Sequence, residues 1–153
     1  EWDKMSQCSK DLFLRFGLEG LKKRNPQDLS GGEKQRLALC VALGKEADYY
    51  FLDEPTKGMD AKSKKLFGEL LKEWTKMEKS IVMVSHDMEF TAKYGDEISL
   101  LYQGEIIVQC PVREFMEENQ FYTTGMNRVT RRVNPHIITI EDVKKYAKRK
   151  NSQ

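Results

Sequence analysis

The chain has 153 residues, a net charge of +2, 39% apolar and 33% charged residues, the balance of one globular domain with a modest core. There are no internal repeats and no low-complexity tract, and no apolar run approaches the ~18 residues of a membrane-spanning helix. Three cysteines, Cys8, Cys40 and Cys110, match no metal spacing and their odd number suits a reducing, cytosolic compartment.

In chain order, residues 9–16 read as a short helix capped by Ser9, with Leu12, Phe13 and Phe16 apolar. Gly17, Gly20 and Asn25-Pro26 then break the chain. Residues 32–44 read as a helix that is apolar nearly all round, hence buried. Residues 48–52 form a short apolar strand. Asp60 is a natural N-cap for a helix over 61–77, whose Leu66, Phe67, Leu70, Leu71, Trp74 and Met77 make one stripe. Residues 80–85 are a continuous apolar run, the pattern of a buried parallel strand, and a helix over 87–94 follows. Residues 97–102 and 105–110 flank Gln103-Gly104, a hairpin signal. Pro111 suits the first turn of a helix over 111–118. After a loop, Thr139 can cap a last helix, with Asp142 in the capping-box place. Strands alternating with helices between 48 and 102 indicate an α/β fold. The basic clusters Lys22-Lys23-Arg24, Arg128 to Arg132 and Lys144 to Lys150 read as solvated faces rather than a nucleic-acid surface.

Two segments carry chemistry. Leu29-Ser30-Gly31-Gly32-Glu33-Lys34-Gln35-Arg36 opens a helix with small residues, which leaves backbone N–H groups uncovered at the positive end of the helix dipole. Phe51-Leu52-Asp53-Glu54-Pro55-Thr56 ends an apolar strand in adjacent carboxylates, where the active site of a parallel sheet lies. One carboxylate can serve a magnesium ion through its water shell while the other is left to act as base. In Val84-Ser85-His86-Asp87 a histidine follows the next apolar strand, 32 residues after Glu54. No G-x-x-x-x-G-K-[ST] phosphate loop occurs; the only Gly-Lys pair, Gly44-Lys45, is followed by Glu46.

On these residues the chain resembles the ATP-binding-cassette (ABC) ATPases. Leu29 to Glu33 looks like their signature motif, Asp53 and Glu54 like the Walker B aspartate and catalytic glutamate, His86 like the switch histidine, and Lys57-Gly58-Met59-Asp60 like the D-loop. Gln35, Arg36 and Asp87 favour the transporter branch over the DNA-repair branch. Asn119-Gln120-Phe121-Tyr122-Thr123-Thr124, Asn127-Arg128 and residues 138–143 resemble the end of the energy-coupling-factor ATPases, especially the second cassette of fused two-cassette forms.

The resemblance implies a partial P-loop NTPase fold, a mostly parallel sheet flanked by helices and lacking the Walker A strand and loop. Residues 1–122 would be the C-terminal part of a nucleotide-binding domain: 1–44 the end of the helical subdomain with the signature helix, 45–122 the part from Walker B to the C-terminal strands and helix. Residues 123–153 would be a C-terminal extension. With Glu1 in first place, the expectation is the C-terminal part of a longer ATPase. The implied cofactors are ATP and magnesium, with Glu54 and His86 catalytic and Asp53 serving the metal through water. Ser30, Gly31, Gly32, Glu33, Gln35 and Asp60 would meet nucleotide, the signature residues acting on ATP held by a second cassette. Implied partners are that cassette and a membrane coupling protein, with no nucleic acid, for an importer of a vitamin or transition-metal ion. The expected location is cytoplasmic, at the inner face of the membrane. The isolated chain is expected to be inactive. The competing readings are a non-catalytic piece completing another cassette's site and half of a DNA-associated ABC ATPase.

Overall fold

Apolar residues repeating at helical spacing and short apolar strand runs organise the chain into two compact units, one ending at His86 and one starting at Asp87. A computed structural model describes residues 6–150. In the first unit, helix α1 (Gln7–Arg15) starts earlier than its sequence suggests. Ser6 rather than Ser9 is the cap, its hydroxyl accepting from Ser9 N at 3.1 Å. Ser9 is engaged elsewhere: its hydroxyl donates to Gly44 O at 3.3 Å. Asn25 accepts from Gln27 N and caps a single 3₁₀ turn, Pro26–Asp28.

Helix α2 (Gly31–Leu43) begins in a capping box. Ser30 Oγ accepts from Glu33 N, and Glu33 Oε2 accepts from Ser30 N at 2.8 Å. The expectation of burial all round is corrected: Leu39, Cys40 and Leu43 face the core, whereas Ala38, Val41 and Ala42 are exposed.

Strand β1 (Tyr49–Asp53) pairs in parallel with β2 (Ser80–Val84), with Phe51 opposite Val82 and Asp53 opposite Val84. Between them runs α3 (Ala61–Lys76), capped by Asp60, whose carboxylate accepts from Ser63 N at 2.7 Å. The α3 stripe is as expected through Phe67, Leu70, Leu71 and Trp74, all buried, while Leu66 and Met77 are exposed and lie outside it. Burial of Phe67, Leu70 and Leu71 is worth about 1.5–3 kcal/mol each. Trp74 packs on Tyr50 with ring centroids 4.7 Å apart. The strand β2 is parallel but not buried. One face of the pair leaves Tyr49, Phe51, Val82 and Val84 between 53% and 77% exposed, so an apolar run here marks a surface rather than an enclosed strand.

In the second unit, α4 (Met88–Tyr94) is capped by Asp87. The hairpin β3 (Glu97–Tyr102) and β4 (Glu105–Pro111) is antiparallel, and Gln103 and Gly104 both adopt positive φ, 50° and 88°, as a tight primed turn requires. Pro111 ends β4 and caps α5 (Val112–Glu118) instead of lying in its first turn. Val112 and Met116 form a core with Ile138, against which Met88, Ala92 and Ile98 pack. A helix with no counterpart in the sequence reading, α6 (Gly125–Thr130), is anchored by a buried polar residue. Asn127 Nδ2 donates to Pro135 O at 2.7 Å and Ile137 O at 3.2 Å, and Thr124 Oγ1 to Ile138 O at 2.6 Å. Thr139 caps α7 (Ile140–Lys150), with Asp142 accepting from Thr139 N at 3.0 Å and donating its own N–H back to Thr139 Oγ1, so Asp serves where Glu or Gln is usual.

Candidate functional site

The C-terminal ends of β1 and β2 bring Asp53, Glu54 and His86 together within the first unit. Asp53 is the last strand residue and is exposed. Glu54 leaves the strand in the left-handed region, φ 43°, a strained conformation for a residue with a side chain. Three bonds hold it there. Glu54 N donates to Val84 O at 2.9 Å, Glu54 O accepts from Lys57 N at 3.1 Å, and Glu54 Oε1 accepts from His86 N at 3.0 Å. The last bond fixes the carboxylate at the mouth of the parallel pair. His86 Nε2 lies 3.7 Å from the same oxygen, with the imidazole 93% exposed.

The signature helix is stitched to this turn. Gln35 Nε2 donates to Pro55 O at 3.2 Å and lies 3.5 Å from Glu54 O. A Cβ on Gly32 would sit 2.9 Å from Gly58 O, so only glycine permits this approach of α2 to the turn that follows β1. The same position is 3.8 Å from the Arg36 guanidinium, whose Nε is buried without a hydrogen-bond partner. A Cβ on Gly31 would meet nothing within 4 Å.

Other sequence-predicted residues have local partners. Glu33 is committed to the capping box, and the Ser30 backbone N–H, then its hydroxyl, holds the carboxyl below its usual range. Asp60 caps α3; bonds from the Ser63 hydroxyl and N–H hold its carboxyl low, with Arg36 adding a smaller effect. The contacts of Gln35 with the Glu54-Pro55 turn and of Gly32 with Gly58 were not anticipated. A polar side chain on a helix carries no sequence mark of its partner.

The donor set fits magnesium nucleotide in part. Asp53 presents hard carboxylate oxygen at a strand end, and the open space over Gly31 leaves the helix start approachable. Among the described residues no cluster of three His, Cys, Asp or Glu could hold a metal by itself. A magnesium ion at Asp53 would therefore need its other ligands from water and phosphate.

Residues 3–57 match the family model described as ABC transporter. A putative ABC transporter ATP-binding protein of Bacillus thuringiensis is 41% identical over 93% of this chain. The chain is similar to ABC transporter ATP-binding proteins over nearly its whole length. It spans 28% of that relative's length. Among solved structures, a dimeric bacterial ABC transporter cassette is 28% identical, with a TM-score of 0.62 over 70% of this chain and 47% of its own. The cbiO1 protein of Clostridium perfringens, part of the ABC transporter complex cbiONQ, is 26% identical, with a TM-score of 0.60 over 87% of this chain and 52% of its own. The fold of this chain is accordingly a partial P-loop NTPase cassette with a small parallel sheet.

Proposed function

We propose that this chain supplies the signature-to-switch part of an ATP-hydrolysing cassette in an importer of the energy-coupling-factor type, for a vitamin or a transition-metal ion. The observation that carries the reading is the Glu54 carboxylate, held by His86 N–H at the end of two parallel strands beside Asp53. Bound magnesium would neutralise charge developing on the transferred phosphoryl group. Glu54 orients the attacking water and takes its proton on a carboxylate oxygen, and His86 keeps that oxygen aimed. Asp53 would hold the metal through water. Ser30, Gly31 and Gly32 face nucleotide bound to a second cassette, and residues 1–122 belong to the nucleotide-binding part with 123–153 as an extension. The likeness to cbiO1, part of a transporter complex, and the segment Asn119 to Thr124 support the importer reading. Among the described residues no helix is long and apolar enough to cross a membrane, so a membrane coupling protein would hold the cassette at the inner face.

The test uses the full-length protein. Glu54→Gln should leave ATP affinity within about threefold and lower hydrolysis by the roughly 10²–10⁴-fold typical of losing a general base. Lost affinity with normal turnover would overturn the assignment. Cells carrying Glu54→Gln should lose accumulation of labelled transition-metal ion or vitamin; unchanged accumulation of both classes would remove the importer reading.

A further inference from the structure

We propose that Gln35 is a positioning residue for Glu54, acting through the peptide of the turn rather than through nucleotide. The inference rests on the reading of Glu54 as the catalytic carboxylate, and it assigns to Gln35 a task distinct from cofactor contact.

Glu54 occupies the left-handed region, at φ 43°, which an L-residue holds only when its surroundings impose it. Its N–H and carboxylate are held from the β2 side, by Val84 O and by His86 N. On the other side the turn is closed by Lys57 N on Glu54 O at 3.1 Å. Gln35 is the side chain that reaches this turn from a different element, with Nε2 3.2 Å from Pro55 O and 3.5 Å from Glu54 O. Pro55 is fully buried and has no N–H of its own to add to the turn. The carboxamide thus pins the carbonyl side of a strained peptide whose carboxylate must keep one direction. Its donor group is directed at two carbonyls of its own chain, where a nucleotide ligand would have to compete.

Gln35→Met keeps the length of the side chain and removes the donor. In the full-length protein, kcat should fall on the order of 10²-fold, the cost of about 1 Å of misplacement, with KM for ATP within twofold. In a Glu54→Gln background the same substitution should cause no further loss. A readout independent of turnover is amide hydrogen exchange without nucleotide. Protection of the Lys57 and His86 N–H groups should drop about tenfold, the scale of one hydrogen bond, while α3 keeps its protection. Unchanged exchange at Lys57 and His86, or a raised KM with kcat retained, would overturn the proposal. If Glu54→Gln alone kept native turnover while Gln35→Met still loosened Lys57 and His86, Glu54 would lose its catalytic role and Gln35 would keep its structural tie to the turn.

Discussion

Two adjacent glycines at the start of α2 should respond oppositely to the same methyl group. At Gly32 the added Cβ would lie 2.9 Å from Gly58 O. That neighbour is backbone, in a turn closed by Met59 N on Thr56 O at 3.1 Å and with Gly58 at φ 73°, so it cannot swing aside as a side-chain tip could. Overpacking of this kind costs about 1–3 kcal/mol, offset by the roughly 0.4–1 kcal/mol that alanine gains by restricting the unfolded chain. The net expectation for Gly32→Ala is a loss of about 1–2 kcal/mol, or roughly 2–8 °C in Tm for a chain of this size. Gly31→Ala meets nothing within 4 Å, so only the favourable part remains, a rise of roughly 1–4 °C. Thermal unfolding followed by circular dichroism reads both. In full-length protein blocked by Glu54→Gln, ATP-driven dimerisation separates the roles further. Gly31→Ala should weaken dimerisation despite its higher Tm, because its methyl would occupy the space proposed for the approach of a partner's phosphate to the helix. An equal fall in Tm for both variants would refute the steric distinction, and intact dimerisation in Gly31→Ala would refute the trans approach.

Two further perturbations test the cores of the two units. Asn127→Ala removes both donors to the Pro135 and Ile137 carbonyls inside the second unit; a loss of about 2–4 kcal/mol in urea unfolding is expected, and a value below about 1 kcal/mol would mean that the buried amide does not organise α6. Burial, with a smaller effect of Cys8, pushes the Cys40 thiol up to about 11. A thiol whose folded value exceeds its unfolded one stabilises the fold fully below the unfolded value, and that contribution is lost as pH rises through the folded value. Stability should therefore decline between about pH 9 and 11 by up to roughly 2–3 kcal/mol relative to Cys40→Ala, and parallel pH profiles of the two proteins would contradict the assignment.

Much of the framework is legible in the sequence because it follows local rules. Ser30 with Glu33, Asp60 with Ser63, and Gln103-Gly104 each satisfy backbone groups within a few residues, and short-range chemistry of that kind is written in short-range sequence. The apolar runs at 49–52 and 80–84 indicate strands, and their pairing in parallel follows from the helix between them. Their exposure does not, since an apolar run states what a segment can bury and not what is present to cover it. Ser9 reads as the cap of α1, but Ser6 holds that place, and the Ser9 hydroxyl donates to Gly44 O, 35 residues away. Helix α6 escapes the apolar periodicity altogether because its buried anchor is an asparagine. In the site, Asp53, Glu54 and His86 meet at the ends of β1 and β2, the places their resemblance to known motifs implies, whereas the partner of Gln35 is fixed only when α2 packs beside the turn after β1.

The two-stranded β1–β2 sheet also has a thermodynamic consequence. Among the described residues each strand has one edge without a strand neighbour, and Phe51 and Val82, opposite one another in the register, stand 77% and 53% exposed. Unpaired edges flanked by apolar side chains are templates for another chain, and any association that favours the folded form raises apparent stability by mass action. Protein concentration therefore acts as a ligand concentration for this chain. Its unfolding midpoint should climb with dilution reversed, tenfold steps in concentration shifting it in regular increments, and a Lys placed at Phe51 should flatten that dependence.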